Sequence, residues 1–314
     1  MRALVAGFTL ATASGSALPA KAQDGPSNIS IVTGNAGGSF YPVGVAMAKI
    51  LSDEGISASA EPGGGNSNVM AVSQGQADIG FTFGPTVTMA TAGEDPFPTK
   101  FGGVVALASL YPNYTQVAVT TESGVTDIAD LKGKPFATQG QSAGSSTFFR
   151  MLLEANGLTE DDLDIVVRGG PTQGANAVRD RTAVGFQATT GFPNASFSEA
   201  FISVPMRILP VSDEAAAALV EANPSFSRAV LPAGTYHGQD EDAPTVSVDT
   251  ILIVNADMPE EHAYQIVKTL AENAAALERS TNVVSGFDAA RMADISGITV
   301  HPGAARYYRE QGLQ

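Results

Sequence analysis

The chain has 314 residues, 44 % of them hydrophobic, and a formal net charge of −15. That length suggests two domains with ample apolar material for their cores, and the charge repels nucleic acid and anionic lipid. The absence of cysteine excludes disulfides, thiolate metal sites, a thiol nucleophile and a lipid-bearing cysteine.

Met1-Arg2 is a minimal basic start, Ala3 to Pro19 is mostly apolar and small, and Ala20-Lys21-Ala22 is an A-x-A cleavage pattern before the polar Gln23 to Ser27. This reads as a secretory signal peptide, residues 1–22, and implies a periplasmic location. Cleavage after Ala22 would leave 314 − 22 = 292 residues and, with Arg2 and Lys21 gone, a charge of −17. No later segment is long and apolar enough to span a bilayer.

Strands and helices then alternate. Ile29–Val32 reads as a buried strand and Val43–Leu51 as a helix, with the glycine-rich turn Thr33 to Pro42 between them. Glycines let backbone N–H groups approach a ligand closely, and a helix N-terminus adds roughly half a positive charge, so the turn suits an anionic group. The turn carries no Lys, His or acid, so it can hold a ligand but not transform it. Ile56–Ala60 (strand) leads to a second turn, Gly63 to Asn68, and the helix Val69–Gln74. Ala77–Phe83 is a strand, Thr86–Ala92 a helix, Asp95 to Pro98 a loop, and Phe101–Leu110 and Thr115–Thr120 are two apolar, β-rich runs.

A second unit opens at Thr121. Asp127 to Leu131 is a helical turn and Phe136–Thr138 starts a strand. Gly140 to Thr147 is a third Gly/Ser turn, with the helix Phe148–Asn156 behind it. Asp164–Arg168 and Ala183–Ala188 are strands, and Thr189 to Pro193 is a loop before the helix Asn194–Phe201. Met206–Val211 is a strand and Asp213–Ala222 a helix. Val246–Val254 returns as a strand, followed by one long amphipathic helix, Pro259–Glu278. The alternation argues for βαβ units. A unit interrupted and then resumed has two connections between lobes, which is hinge topology, with strands near Thr115–Thr121 and Val246–Ile253 as the crossings. Open α/β sheets bind ligands at the C-terminal ends of their strands.

Catalytic readings fail on missing parts. No turn carries the lysine of G-x-x-x-x-G-K-[ST], and Gly34 to Ser39 lacks G-x-G-x-x-G spacing. There is no G-x-S-x-G elbow, and His237, His262 and His301 read as ordinary surface histidines. Asp240-Glu241-Asp242 and Asp161-Asp162 lack EF-hand spacing. Neither enzyme, metal nor cofactor is expected. Three Gly/Ser turns, each between a strand and a helix, point instead to a cleft that binds.

Thr33-Gly34 with Gly37-Gly38 and Phe40-Tyr41-Pro42-Val43-Gly44 resembles the opening of the TAXI family, the solute receptors of a class of TRAP transporters. Gln76 to Phe81, Ala108 to Pro112, Ile128 to Lys134, Pro232 to Thr245 and His301 to Tyr308 match in order across the whole mature chain. The resemblance implies an α/β, two-lobed, type II periplasmic binding fold, each lobe a mixed, mostly parallel sheet flanked by helices. Residues 28–118 and 246–314 would form one lobe and 119–245 the other. It implies a monomeric receptor that closes over a small organic anion, such as glutamate or 2-oxoglutarate, and delivers it to a membrane permease. A receptor feeding a sensor kinase is the alternative, and a secreted hydrolase the more distant one. By motif position the site would comprise Gly37, Gly38, Ser39 and Tyr41, Asn68, Phe83, Ser142, Ser145, Ser146 and Thr147, with Thr190, Gly191 and Phe192 closing the far side. Two departures stand out. Phe83-Gly84-Pro85 replaces the polar Q-S-D of many relatives, and Thr190-Gly191-Phe192-Pro193 replaces A-G-A-P. Both make the pocket tighter or more apolar.

Overall fold

The computed structural model describes residues 28–35 and 37–314. The expected signal peptide, and Ala36 of the opening turn, lie outside them. In chain order, β1 (Ile29–Val32) leads to α1 (Phe40–Asp53), β2 (Ala58–Glu61) to α2 (Gly65–Ser73), and β3 (Ile79–Phe83) directly to α3 (Gly84–Ala92). The long strand β4 (Val104–Thr120) carries the chain to β5 (Pro135–Thr138), α4 (Gly144–Ala155), β6 (Asp164–Arg168), α5 (Pro171–Arg179) and β7 (Gly185–Thr190). Then come α6 (Ala195–Ser203), β8 (Met206–Ile208), α7 (Asp213–Ala222) and β9 (Phe226–Leu231). A second long strand, β10 (Ala243–Asn255), returns to α8 (Glu260–Glu272), α9 (Ala274–Ser280), α10 (Ala289–Ala293) and α11 (Pro302–Glu310).

Local sequence explains most of these elements. β3 reads Ile-Gly-Phe-Thr-Phe and is buried on both faces, as a parallel strand covered by helices must be. α8 buries Ala263, Ile266, Val267 and Leu270, the i, i+3, i+4, i+7 stripe of a surface helix. The turn at Ile128–Leu131 is nucleated by a capping box between Asp127 and Asp130; the N–H groups bonded to its carboxylate hold the Asp130 pKa below the usual range.

The strands form one sheet in the order β2-β1-β3-β10-β4-β7-β5-β6, with β8 on β4 and β9 on β10. β2, β1 and β3 pair in parallel, and so do β7, β5 and β6. Between these two parallel blocks, β4 and β10 run antiparallel. The C-terminal part of β10 pairs with β3, whereas the C-terminal part of β4 pairs with β7. The molecule is therefore two-lobed, α/β, and spanned by two shared strands. Where they pass between lobes, Pro112 faces Asp249 and the register shifts between Asp249 and Ile251. Pro112 offers no N–H to the ladder, so the strand pair is weakest there. Arg291 of α10 pairs with Asp249 at that point.

Some expected boundaries move. The two β-rich runs at Phe101–Leu110 and Thr115–Thr120 are one strand, because the intervening Tyr-Pro-Asn-Tyr continues the ladder through the crossing. The expected helix Pro259–Glu278 is two, breaking at Asn273. Thr189 and Thr190 end β7 rather than starting a loop, their β-branched side chains suiting the strand. Helices α5, α10 and α11 and strand β9 carry no reading above; α5 is short and small-residue-rich, which hides its apolar stripe. Among the described residues no helix is long and apolar enough to cross a membrane.

A row of aromatic rings runs through the core from one lobe to the other. Phe81 meets Phe40 at 5.5 Å, Phe40 meets Phe83 at 4.8 Å, Phe83 meets Phe148 at 5.3 Å, and Phe148 meets Phe226 at 5.1 Å. Each such pair contributes about 0.5–1.5 kcal/mol beyond its buried area.

α11 is fixed by its N-cap, His301, which is buried rather than at the surface as expected, because both ring nitrogens bond backbone groups. The Gly303 N–H donates to His301 Nδ1 at 3.2 Å, so the proton sits on Nε2, which donates to the Met258 carbonyl at 2.9 Å. Burial holds the His301 pKa below its ordinary 6.5. On acidification the unfolded chain takes up this proton first, so the contribution to stability is full above about pH 6.5 and is lost as pH falls through that value. The melting temperature is expected to drop between pH 7 and 5.5 in thermal unfolding. The drop should be reduced in His301→Asn, which keeps an N-cap without the titration; an equal drop in both would contradict this assignment.

Candidate functional site

The C-terminal ends of β1, β3, β5 and β7 and the turns after them enclose a cavity of about 40 Å³. Its walls come from both lobes. Gly34, Asn35, Gly38, Ser39, Phe40, Gly64, Gly65 and Phe83 belong to one, and Gln139, Ala143, Gly144, Ser145, Pro171, Thr189 and Thr190 to the other. Two larger depressions, of about 450 and 410 Å³, share Thr121. They lie at the opposite end of the second lobe, where β5, β7 and β8 begin, away from the strand ends that usually bind ligands.

Five helices start on the cavity wall. Ser39, Gly64, Phe83 and Ala143 are the N-caps of α1, α2, α3 and α4, and Pro171 is the first residue of α5. None of the five N-cap side chains makes a cap bond, and none of the five has an acidic residue in its first turn, although the N-cap N–H groups of α2 and α5 donate to Asn68 and Gln173. Each leaves N–H groups without intrahelical partners and about half a positive charge. By contrast α6, which does not border the cavity, is capped by Asn194 accepting from Ser196 and Phe197. No ionisable side chain lines the cavity.

The lobes touch directly around it. The Asn66 N–H donates to the Ser142 carbonyl at 3.0 Å, and Asn66 Nδ2 donates to the Gln141 carbonyl at 2.9 Å and to Thr147 Oγ1 at 3.2 Å. Asn194 Nδ2 donates to the Gly37 carbonyl at 2.8 Å, and Thr190 Oγ1 to Ser39 Oγ at 3.3 Å. Ser39 donates in turn to Asn113 Oδ1 at 3.2 Å, and Asn113 to Thr250, which joins the latch to the crossing strands. Tyr236, its pKa raised by burial, donates to Gln116 Oε1 at 2.6 Å and accepts from the Asn194 N–H. This is a closed arrangement. Glycine is required at two of the contacts: a Cβ on Gly64 would lie 2.5 Å from the Ser142 carbonyl oxygen, and Gly37 has φ +84 with Thr172 Oγ1 2.2 Å from any Cβ.

Of the residues expected from the sequence, Gly38, Ser39, Phe83, Ser145 and Thr190 line the cavity. Gly37, Ser142 and Thr147 bond across the lobes instead. Asn68 is turned into its own lobe, donating to the carbonyls of Val32, Thr33 and Phe81 and accepting from the Gly64 N–H. Ser146 bonds the Ala143 carbonyl, and Gly191 packs on Val283. Half-buried Phe192 meets Tyr114 edge-on at 4.6 Å, and Tyr41 is half-buried on α1. None of these last five is among the lining residues. Gln139 and Pro171 carry no reading above, although Gln139 follows a strand end and Gly169-Gly170-Pro171 is a fourth glycine-bearing strand-to-helix turn. Among the described residues no three His, Asp or Glu side chains gather as metal ligands.

A family model described as NMT1-like matches residues 31–312. The chain belongs to the NMT1-like family. This NMT1-like chain also resembles solved structures at low identity. Against the periplasmic binding protein BugD it is 14 % identical, covering 91 % of this chain and 94 % of that one with a TM-score of 0.57. Against a protein from Bordetella bronchiseptica RB50 the values are 16 %, 91 %, 98 % and 0.53. Against a structure described as a periplasmic transporter they are 11 %, 90 %, 92 % and 0.53. Such likeness establishes the fold, that of periplasmic binding proteins, and no more.

Two variants separate latch from scaffold. Gly64→Ala puts a methyl against a backbone oxygen of the facing lobe, so it is expected to hold the lobes apart and raise the radius of gyration in small-angle scattering, with little loss of secondary structure. Asn68→Ala strands buried carbonyls and an N–H and is expected to cost about 2–3 kcal/mol in denaturant unfolding, without changing the radius of gyration of the folded protein.

Proposed function

We propose that this protein is an extracytoplasmic receptor that captures a small organic anion by lobe closure and hands it to a membrane permease. The finer reading is a receptor of the TAXI class of TRAP transporters. The observation that carries the anion reading is the convergence of five helix N-termini, with no acidic residue in any first turn, on a cavity without ionisable side chains. Their partial positive charges favour a carboxylate, and no acid opposes it. A chain with net charge −15 repels anions at long range, so capture rests on these short-range dipoles. Ser39, Phe83, Ser145 and Thr190, with Gly38, form the walls of the proposed site, and Gly37, Ser142 and Thr147 act with Asn66 and Asn194 in closing it. The TAXI assignment rests on the motif matches from Thr33 to Tyr308, and the periplasmic location on the leader-like residues 1–22.

We assign residues 28–118 and 246–314 to one lobe and 119–245 to the other, with the bend near the Pro112–Asp249 pair. Opening there breaks the Asn66, Asn194 and Thr190 bonds; a bound anion restores closure by bridging the helix ends of both lobes. A ligand shifts this equilibrium only by its differential affinity for the closed form. Among the described residues no His, Lys or acid lines the cavity to activate its Ser and Thr hydroxyls, and no metal cluster forms, which favours binding without chemistry.

A thermal-shift screen of small carboxylates, amino acids and neutral sugars tests the reading. A carboxylate at ~100 times its dissociation constant should stabilise by about 2.7 kcal/mol. A neutral solute that raises the melting temperature while every carboxylate leaves it unchanged would overturn the anion assignment.

A further inference from the structure

The lining of the cavity contains no Lys, Arg, Asp or Glu, and this restricts the ligand further than its sign. A second carboxylate would need a cation or a separate set of donors, and an ammonium would need an acid. Neither exists on the wall. The cavity is also small: about 40 Å³ is room for roughly three or four water-sized bodies. All five helix N-termini border this one space, so there is no second, distant anion seat for a longer diacid.

One fully buried polar side chain on the wall is unused among the described residues. Gln139, at the end of β5, is only 6 % exposed, lines the cavity, and makes no side-chain hydrogen bond among the described residues. The wall's hydroxyls are engaged: Ser39 with Asn113 and Thr190, Ser145 with the backbone of Thr189, and Thr189 with Thr115; the Asn35 side chain makes no such bond among the described residues either, but it is only half-buried. A buried amide normally finds partners, and a glutamine amide can both donate and accept. The apolar rings of Phe40 and Phe83, packed on each other, also line the cavity.

We propose that the ligand is a short monocarboxylate of a few carbons carrying one uncharged oxygen function, hydroxyl or keto, that pairs with the Gln139 amide. Resting on the anion reading above, this makes Gln139 the residue that sets specificity. The carboxylate sits on the helix ends, the short carbon chain lies against Phe40 and Phe83, and the uncharged oxygen meets Gln139. Dicarboxylates and zwitterionic amino acids are rejected because their extra charge would be buried without a partner.

Isothermal titration calorimetry with L-lactate, pyruvate, propionate, succinate, 2-oxoglutarate, L-glutamate and glycerol tests it. Lactate or pyruvate should bind at least on the order of a hundredfold more tightly than succinate, 2-oxoglutarate or glutamate. Either should exceed propionate by about fivefold, the worth of one hydrogen bond. In Gln139→Met, which keeps the volume and removes the amide, the ratio to propionate should fall to about one. Because the ratio is read within one variant, a change in its stability does not affect it. Tighter binding of a dicarboxylate or glutamate overturns the single-charge assignment and leaves the anion reading standing. Equal binding of lactate, pyruvate and propionate by the unaltered protein overturns the role of Gln139. Binding of glycerol with no carboxylate bound overturns the anion reading and this inference with it.

Discussion

The antiparallel pairing of β4 with β10 is the constraint on which the rest of the molecule depends. Each strand belongs to both lobes, so neither lobe can complete its sheet without them, and neither can move except by bending them. The bend has a chemical location. Pro112 removes a ladder donor opposite Asp249, the register slips beside it, and Arg291 closes over the gap through Asp249. A continuous strand pair would resist bending; in the opening proposed above, the proline and the slip at its centre would make this the place that yields first.

The same topology builds the site. In each lobe the parallel block ends its strands at the edge facing the other lobe, and each strand-to-helix turn delivers a helix N-terminus to that edge. The protein thereby gathers the positive ends of five helix dipoles without using one charged side chain. Backbone dipoles are fixed by the fold and carry no desolvated ion. They also leave the apolar and hydroxyl side chains of the wall to determine shape.

Much of this was legible in the chain. The turns at Thr33 to Ser39, Gly63 to Asn68 and Gly140 to Thr147 were visible because glycine and serine cluster between an apolar run and a helical pattern, and each borders the cavity. What the turns did not reveal is which residues face inward. Asn68 sits in a glycine turn like its neighbours, yet its amide is consumed by three carbonyls of its own lobe. Phe192 was placed on the far wall by its position beside Thr190, but its ring lies against Tyr114. The direction of a side chain depends on packing partners remote in sequence. Gln139 carries no sequence signal beyond following a strand end, and only its burial on the wall without a hydrogen bond singles it out. The strand crossing was hidden by Tyr111-Pro112-Asn113-Tyr114, which reads as a loop and folds as ladder.

The row of rings from Phe81 through Phe40, Phe83 and Phe148 to Phe226 bears on speed rather than affinity. Phe83 and Phe148 belong to different lobes and touch in the closed form, so parting the lobes wets aromatic surface that is otherwise dry. On the receptor reading proposed above, every opening carries this added cost, so capture of a solute would wait on opening and the association rate would fall below the encounter limit.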